Sequence, residues 1–458
     1  MSDGGIIQLA TVGAQDCNFL SDNLNDTLFK ETEKKINNCC KATFSMYPNG
    51  KATWGTTTRF KIQKKGDMLG SLYFVAKLPQ RGHNGSIFDK WVDYIGNVLI
   101  ENVKLFIGGQ LIDEQTGDFA QIYTDLYDDD WNKLCLIGLD DTLTTPSDSV
   151  DSTFVYVPLQ FWFCQKLQNS LPIIALQYHD IEIEVKIRKF EDCHKIFTVR
   201  KTTEDTDRDV VVLSKSKFKY NGIPKINEVK LDCNFIFLNS EERKKLAQSE
   251  HKILINQTQK ITQPVKFEKI VELNFNHPVK EMFWFFRNTN VTFEDGPFNF
   301  STSSESPDLE VFNRYDTVGN KMLIEKYYTK EHWLGKARLL INGHERIEWK
   351  DFMYYHYLQN YENFRNKLEH YVYLYSFSLN PKAETPLGSL NFSRIDNAQL
   401  EFNINEESRR YFNKQRDSEG SSNFGSKGKD ENLEINIYAT NYNYLLIKSG
   451  MAGLAYTS

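Results

Sequence analysis

The chain has 458 residues with 40% hydrophobic content, enough to build cores for two or three domains and to exclude whole-chain disorder. Its 55 basic and 61 acidic residues leave a formal charge of −6, so no global basic field would hold phosphates, and direct nucleic-acid binding is not expected. No apolar run reaches the roughly 18–20 residues of a membrane span. The start, MSDGGIIQLATVG, has no basic segment and too short an apolar stretch for a signal peptide, so secretion is not expected either. Aromatic residues make up 14% of the chain, with 32 Phe and 23 Tyr, a bias toward pleated and half-buried surfaces.

In chain order, strict alternation is the dominant signal. TRFKIQ (58–63) and NVKLFI (102–107) each read as a strand with one buried and one wet face. Gly108-Gly109 then marks a tight hairpin, and FAQIYTDLYDDDWNKL carries a helical pattern behind it. A polar loop follows at 140–153. The apolar runs VPLQFWF, LPIIAL and MFWFF have the length of strands. In DIEIEVKIRKF, Ile181, Ile183, Val185 and Ile187 face one way while Glu182, Glu184, Lys186 and Arg188 face the other.

Gly222 and Pro224 punctuate KYNGIPKIN (219–227), which predicts a domain seam there. A strand at 229–238 and a helix at 239–250 follow, the helix opened by Asn239 as N-cap with Glu242 three residues on. A second hairpin sits at Asn342-Gly343, again with a helical pattern behind it, in KDFMYYHYLQNYENF. Strands are expected at 371–379 and 398–404. Polar, Ser- and charge-rich loops are expected at 299–321 and 406–432. The final stretch, NLEINIYATNYNYLLIKSGMAGLAYTS, is too apolar for a free tail and predicts a closing strand region in which Gly450, Ala452 and Gly453 allow close packing.

These landmarks recur at an offset of roughly 215–235 residues, far longer than a solenoid repeat. The recurrence predicts two copies of one β domain, each about the size of an eight-stranded sandwich. The short helices are accessories on an antiparallel framework.

No constellation of residues carries a reaction. Tyr178-His179-Asp180 is the most enzyme-like group, but neighbours on a strand face opposite sides and cannot pair as a triad does. Asp128, Asp129 and Asp130, with Asp140 and Asp141, lack the alternation and turn glycine of a calcium loop. GSSNFGSK (420–427) misses the phosphate-loop pattern by one residue, because Ser426 separates Gly425 from Lys427. The seven cysteines show no C-x-x-C pair and are expected as reduced core thiols, so neither a metal nor another cofactor is expected. Six N-x-[ST] sequons occur; Asn299, at the edge of a predicted loop, leads as a sugar site, with Asn290 and Asn84 as further candidates.

The stretches GGIIQLATVGAQDCNFL (4–20), IGGQLIDEQTGDF (107–119), LPIIALQYHDIEI (171–183), FNHPVKEMFWFFR (275–287) and INIYATNYNYLLIKSGMAGLAY (435–456) carry a resemblance. The chain resembles the major capsid proteins of the nucleocytoplasmic large DNA viruses, in the family's own order from residue 4 to residue 456. That resemblance implies an all-β fold of two tandem eight-stranded antiparallel jelly rolls with short accessory helices and long loops. The expected division is an N-terminal arm at 1–24, a first jelly roll at 25–220 and a second at 221–458.

The implied function is that of a structural major capsid protein with no catalytic activity, forming pseudo-hexagonal homotrimeric capsomers that tile an icosahedral shell. Implied partners are neighbouring capsomers, minor capsid proteins and an internal membrane, with assembly in the host cytoplasm. The arm would order against the inner side of the shell or a neighbour, with Gly4, Gly5, Gln8, Gly13, Gln15 and Asp16 as its assembly residues. The alternatives are a minor capsid or scaffold homologue of the same fold, and a tandem β-sandwich that binds or cleaves carbohydrate, for which Glu182 and Glu184 are the nearest pair of carboxylates.

Overall fold

The computed structural model describes residues 3–11, 38–79, 81–82, 87–127, 131–138, 149–150, 152–201, 208–212, 223–265, 270–288, 298, 300, 332–368, 370–383, 385–405 and 433–457. The first sandwich consists of β1 (Cys39–Met46), β2 (Thr57–Ile62), β3 (Met68–Lys77), β4 (Ile100–Ile107), β5 (Gln110–Thr116), β6 (Phe154–Pro158), β7 (Ile181–Ile187) and β8 (Glu228–Leu238). They form two antiparallel sheets in the orders β1-β8-β3-β6 and β2-β7-β4-β5. Alternation sets the register. Ile183 lies opposite Phe60 on one side and Leu105 on the other, all three buried, while Glu184 on the wet face pairs with Arg59 at 2.7 Å.

The second sandwich repeats the first. Its strands are β9 (His251–Pro264), β10 (Ile270–Glu272), β11 (Pro278–Asn288), β12 (Leu334–Ile341), β13 (His344–Asp351), β14 (Tyr373–Ser376), β15 (Ala398–Ile404) and β16 (Leu433–Lys448). The sheet orders are β9-β16-β11-β14 and β10-β15-β12-β13, the same as in the first set once each strand is matched to its counterpart. Each sandwich is thus an eight-stranded jelly roll, and the duplication inferred from the landmarks is present strand for strand. Both hairpin turns form as expected, with positive φ at Gly108, Gly109, Asn342 and Gly343. The Asn239 side chain caps α3 (Ser240–Gln248), accepting the Glu242 N–H at 2.9 Å.

Three expectations are corrected. β8 lies beyond the seam expected at 220/221, yet it pairs with β1 and β3, so the first sandwich closes only after residue 238. Pro224 precedes a strand of the first sandwich rather than dividing the domains, and Gly222 lies outside the described residues. Cys39, expected in the core, is exposed, while Cys40, Cys193 and Cys233 are buried; Cys17 lies outside the described residues. Of the three strand-length apolar runs, MFWFF lies wholly within a strand, while VPLQFWF only begins in β6. Trp162–Gln165 is a helical turn and Ile173–Ala175 a 3-10 turn, since a run buried on all sides has no period to separate the two. The described residues also include a three-stranded sheet of Ile87–Trp91, His194–Lys201 and Arg208–Val212.

β16 accounts for the apolar C-terminus. It runs through the middle of its sheet, between β9 and β11, and is buried on both faces for most of its length. A short strand, Met451–Leu454, then folds back on it. Gly450 in the turn has φ +79°, and a Cβ there would lie 2.7 Å from the Tyr178 ring, so only glycine allows this approach to the first sandwich.

Candidate functional site

The geometry that bears on function is the seam where the first sandwich meets the second. α2 (Gly117–Tyr127) follows β5, and the Phe119 N–H donates to Thr116 Oγ1 at 3.3 Å, a capping contact at its start. Ile122 and Leu126 on α2 face the first core. Phe119 reaches across to the second sandwich, its ring 5.8 Å from Phe283 and 6.0 Å from Tyr438.

This contact explains why MFWFF has no alternation. Met282, Trp284 and Phe286 belong to the second core, while Phe283 and Phe285 pack with the first core's cluster on the opposite face of β11. A strand covered on both sides needs apolar residues at every position.

Polar groups in the seam are paired across it. Arg287 donates to both Asp118 oxygens at 2.7 and 3.1 Å, and the two side chains are almost fully buried. Burial works to raise the Asp118 pKa, but the Arg287 charge and its two N–H bonds hold the carboxyl below its ordinary value. A bulge between Val279 and Glu281 aims Lys280 and Glu281 together at α2. There Glu281 accepts the Tyr127 hydroxyl at 2.7 Å, and Lys280 Nζ lies 2.9 Å from the same hydroxyl. His370 Nδ1 lies 2.6 Å from Asp125 Oδ2.

Asp113 is also buried in the seam. It accepts the Thr258 N–H at 2.8 Å, the Glu114 N–H at 3.0 Å and the Gln115 amide at 2.8 Å. Burial pushes its carboxyl up to about 7 against the pull of these three donors. With the folded value above the ordinary 3.8, its contribution to stability is fully present below about pH 4 and is lost as pH rises through about 7. Asp113→Asn, uncharged throughout, is therefore expected to gain on the native chain between pH 4 and 7 in urea midpoint, with the difference level above that. A pH-independent difference would show that Asp113 does not titrate in this range.

The C-terminal hairpin adds a second set of links. Tyr178 N–H donates to Gly450 O at 3.0 Å, and Ala452 N–H donates to His179 Nδ1 at 3.1 Å. Asp180 pairs with Lys61 at 2.5 Å. The Tyr178-His179-Asp180 group is thus a strut between the sandwiches. Glu182 and Glu184 both lie beside Arg59 on an open strand face rather than in a cleft.

Among the described residues, no three His, Cys, Asp or Glu side chains gather as metal ligands, and no helix is long and apolar enough to cross a membrane. Gly4, Gly5 and Gln8 fall on α1 (Asp3–Ala10), which rests against β1 and β8 with Leu9 packed on the first core. Gln8 is exposed. Gly13, Gln15 and Asp16, the candidate sugar sites Asn84, Asn290 and Asn299, Asp128 to Asp130, Asp140, Asp141 and GSSNFGSK lie outside the described residues, as do 140–148, 301–321 and 406–432 of the expected loops.

Sequence reasoning did not find the seam pairs. The signal available was Glu281 and Arg287 flanking an unbroken aromatic run, which marks a doubly covered strand with charges to satisfy.

Residues 27–239 match the family described as the major capsid protein N-terminus, and residues 242–453 match the large eukaryotic DNA virus major capsid protein. The two matches cover nearly the whole chain and meet just past β8. The chain belongs to the major capsid protein family of the large eukaryotic DNA viruses. It is 27% identical to the major capsid protein of Phaeocystis pouchetii virus, with 99% of this chain and 100% of that protein aligned. With the major capsid protein of Paramecium bursaria Chlorella virus 1 the identity is 28%, again over 99% and 100%. The fold is similar to that in a quasi-atomic model of the PBCV-1 virus capsid, with a TM-score of 0.69 and 25% identity over 94% of this chain and 100% of that one. This capsid protein is a structural component of the virion shell, and its two jelly rolls are the building units.

Proposed function

We propose that three copies of this capsid protein form a pseudo-hexagonal capsomer, and that such capsomers tile an icosahedral shell. The supporting observation is the repeated strand order: one chain offers two like units, so a threefold object presents six similar lobes and packs hexagonally. Contacts between capsomers then need be only modest individually, because the lattice multiplies them. The protein has no catalytic role and does not bind nucleic acid directly. Minor capsid proteins and an internal membrane lie beneath the shell, and assembly takes place in the host cytoplasm.

The domain division that fits this reading is an arm at 1–24, a first jelly roll from 25 through β8, and a second from α3 onward. The arm, with Gly4, Gly5, Gln8, Gly13, Gln15 and Asp16, works in assembly rather than in the fold of the capsomer. Deleting residues 1–24 removes the Leu9 contact with the first core, so it is expected to lower the melting temperature slightly and leave capsomer mass unchanged, while shells fail to form in electron micrographs. A deletion that unfolds the capsomer would assign the arm to the core, and normal shells would remove its assembly role. Sugar on Asn299, Asn290 or Asn84 belongs to the same reading, to be located by peptide mapping of protein from virions.

A further inference from the structure

The helical pattern behind the second hairpin folds differently from α2. Tyr354–Leu358 has π-helical hydrogen bonding, and the wider turn lets the adjacent Tyr355 and His356 both be buried. The Tyr355 hydroxyl donates to Ala337 O at 3.1 Å, and its ring packs against Trp284 of the second core. His356 Nδ1 lies 2.7 Å from Val372 O, so this nitrogen carries a proton and donates it there. Most of the remaining segment faces water: Met353 is 49% exposed, Leu358 42% and Tyr361 71%. Few apolar contacts resist its opening.

A second imidazole lies beneath this turn. His332, two residues before β12, is wholly buried, its ring centre 4.4 Å from that of Phe352, 4.8 Å from Tyr371 and 4.9 Å from His356. Its Nδ1 is 3.2 Å from the Tyr373 hydroxyl, which also accepts the Leu334 N–H, while Nε2 finds no hydrogen-bond partner among the described residues. A neutral ring leaves one atom orphaned. An imidazolium would carry N–H on both nitrogens, one of them aimed at no acceptor, with a second imidazole beside it. Tyr357 and Tyr373 complete the rings that face His332, and among the described residues no carboxylate acts on either imidazole. The charges flanking the turn, Glu362, Lys350 and Arg346, act on Tyr354 instead.

We propose that His332 and His356 form an acid-operated latch: as neutral rings they let residues 352–361 close over the second jelly roll, and as cations they hold that segment open to water. Phe352 and Tyr357 cover His332 and both belong to the segment, so water reaches the ring when the segment lifts. Burial, helped by His356, holds the His332 imidazole down to about 3, and burial lowers His356 against the pull of Val372 O. Both folded values lie below the ordinary 6.5, so what the pair contributes to closure is fully present above about pH 6.5 and is lost as pH falls below it. The latch works within one chain and does not rest on the capsomer reading.

The test is amide hydrogen exchange of the full chain, read by mass spectrometry between about pH 7.5 and about pH 5 and corrected for the chemical exchange rate at each pH. Relative to β7 in the first jelly roll, the opening constant of residues 352–361 is expected to rise about 30-fold or more over that range, the uptake of at least one proton by a group whose ordinary value is 6.5. His332→Phe keeps the ring and His332→Gln keeps a polar group, and neither can charge. Each is expected to cut the rise at least tenfold. A flat profile in the native chain, or an equal rise in either folded variant, would overturn the latch. Where a variant fails to fold, seen as β7 exchanging at the chemical rate, the native profile decides. An opening constant that climbs about tenfold per pH unit below about pH 6 supports the latch, and one that does not climb overturns it.

Discussion

Arg287→Met is expected to destabilise the chain by about 3–5 kcal/mol, the usual cost of removing one partner of a buried ion pair. The Asp118 side chain is only 5% exposed, so water cannot replace the two N–H bonds it loses. The guanidinium also lies 5.3 Å from the ring centres of both Phe285 and Phe300, a packing contribution that Met retains in part. Most of the loss should therefore be the stranded carboxylate. Pairing the change with Asp118→Leu is expected to restore most of the stability, since replacing both partners by apolar groups is often close to neutral. Denaturant titration of the two variants beside the native chain measures this directly. A loss below about 1 kcal/mol for Arg287→Met would mean that the seam is wetter than its burial implies.

Phe119→Ala has the second largest expected effect, about 3–5 kcal/mol for truncating a buried aromatic side chain. Phe119 is 3% exposed and bridges the first core to Phe283 and Tyr438 on the second jelly roll. The second core, built on Trp284, Phe286 and Tyr373, lies on the other face of β11 and loses nothing. The variant should consequently weaken the coupling between jelly rolls more than either unit. In calorimetry, a single unfolding transition in the native protein is expected to separate into two. One transition, shifted down as a whole, would show that the jelly rolls remain coupled through the Arg287–Asp118 pair and the C-terminal hairpin.

Local patterns in the sequence were reliable where one face of an element is wet. The alternation from Ile181 to Ile187, the turns at Gly108-Gly109 and Asn342-Gly343, and the Asn239 cap all arise from the chemistry of a few adjacent residues, and the structure has each of them. The duplication was legible for the same reason, because local landmarks recur in order.

The features that were not legible depend on distant partners. β8 reads as a strand, but nothing within it says that it pairs with residues 39–46 rather than with strands of the second sandwich. Gly222 and Pro224 mark a break in the chain, and a break before the last strand of a sandwich looks the same as one between domains. Cys39 and Cys40 are adjacent and fall on opposite faces of β1, so one cysteine is exposed while its neighbour is buried. Asp118 and Arg287 are 169 positions apart, and only the folded seam brings them together. The unbroken MFWFF run was the one local trace of that seam. It carried the information that β11 is covered twice, without saying by which residues.

The central claim is that one chain supplies two equivalent lobes of a closed six-lobed unit. Native mass spectrometry of the purified full chain, with electron micrographs of the same sample, tests it most directly. The account predicts a particle of three 53.4 kDa chains with a six-lobed outline. A stable single chain of 53.4 kDa across the concentration range would contradict it.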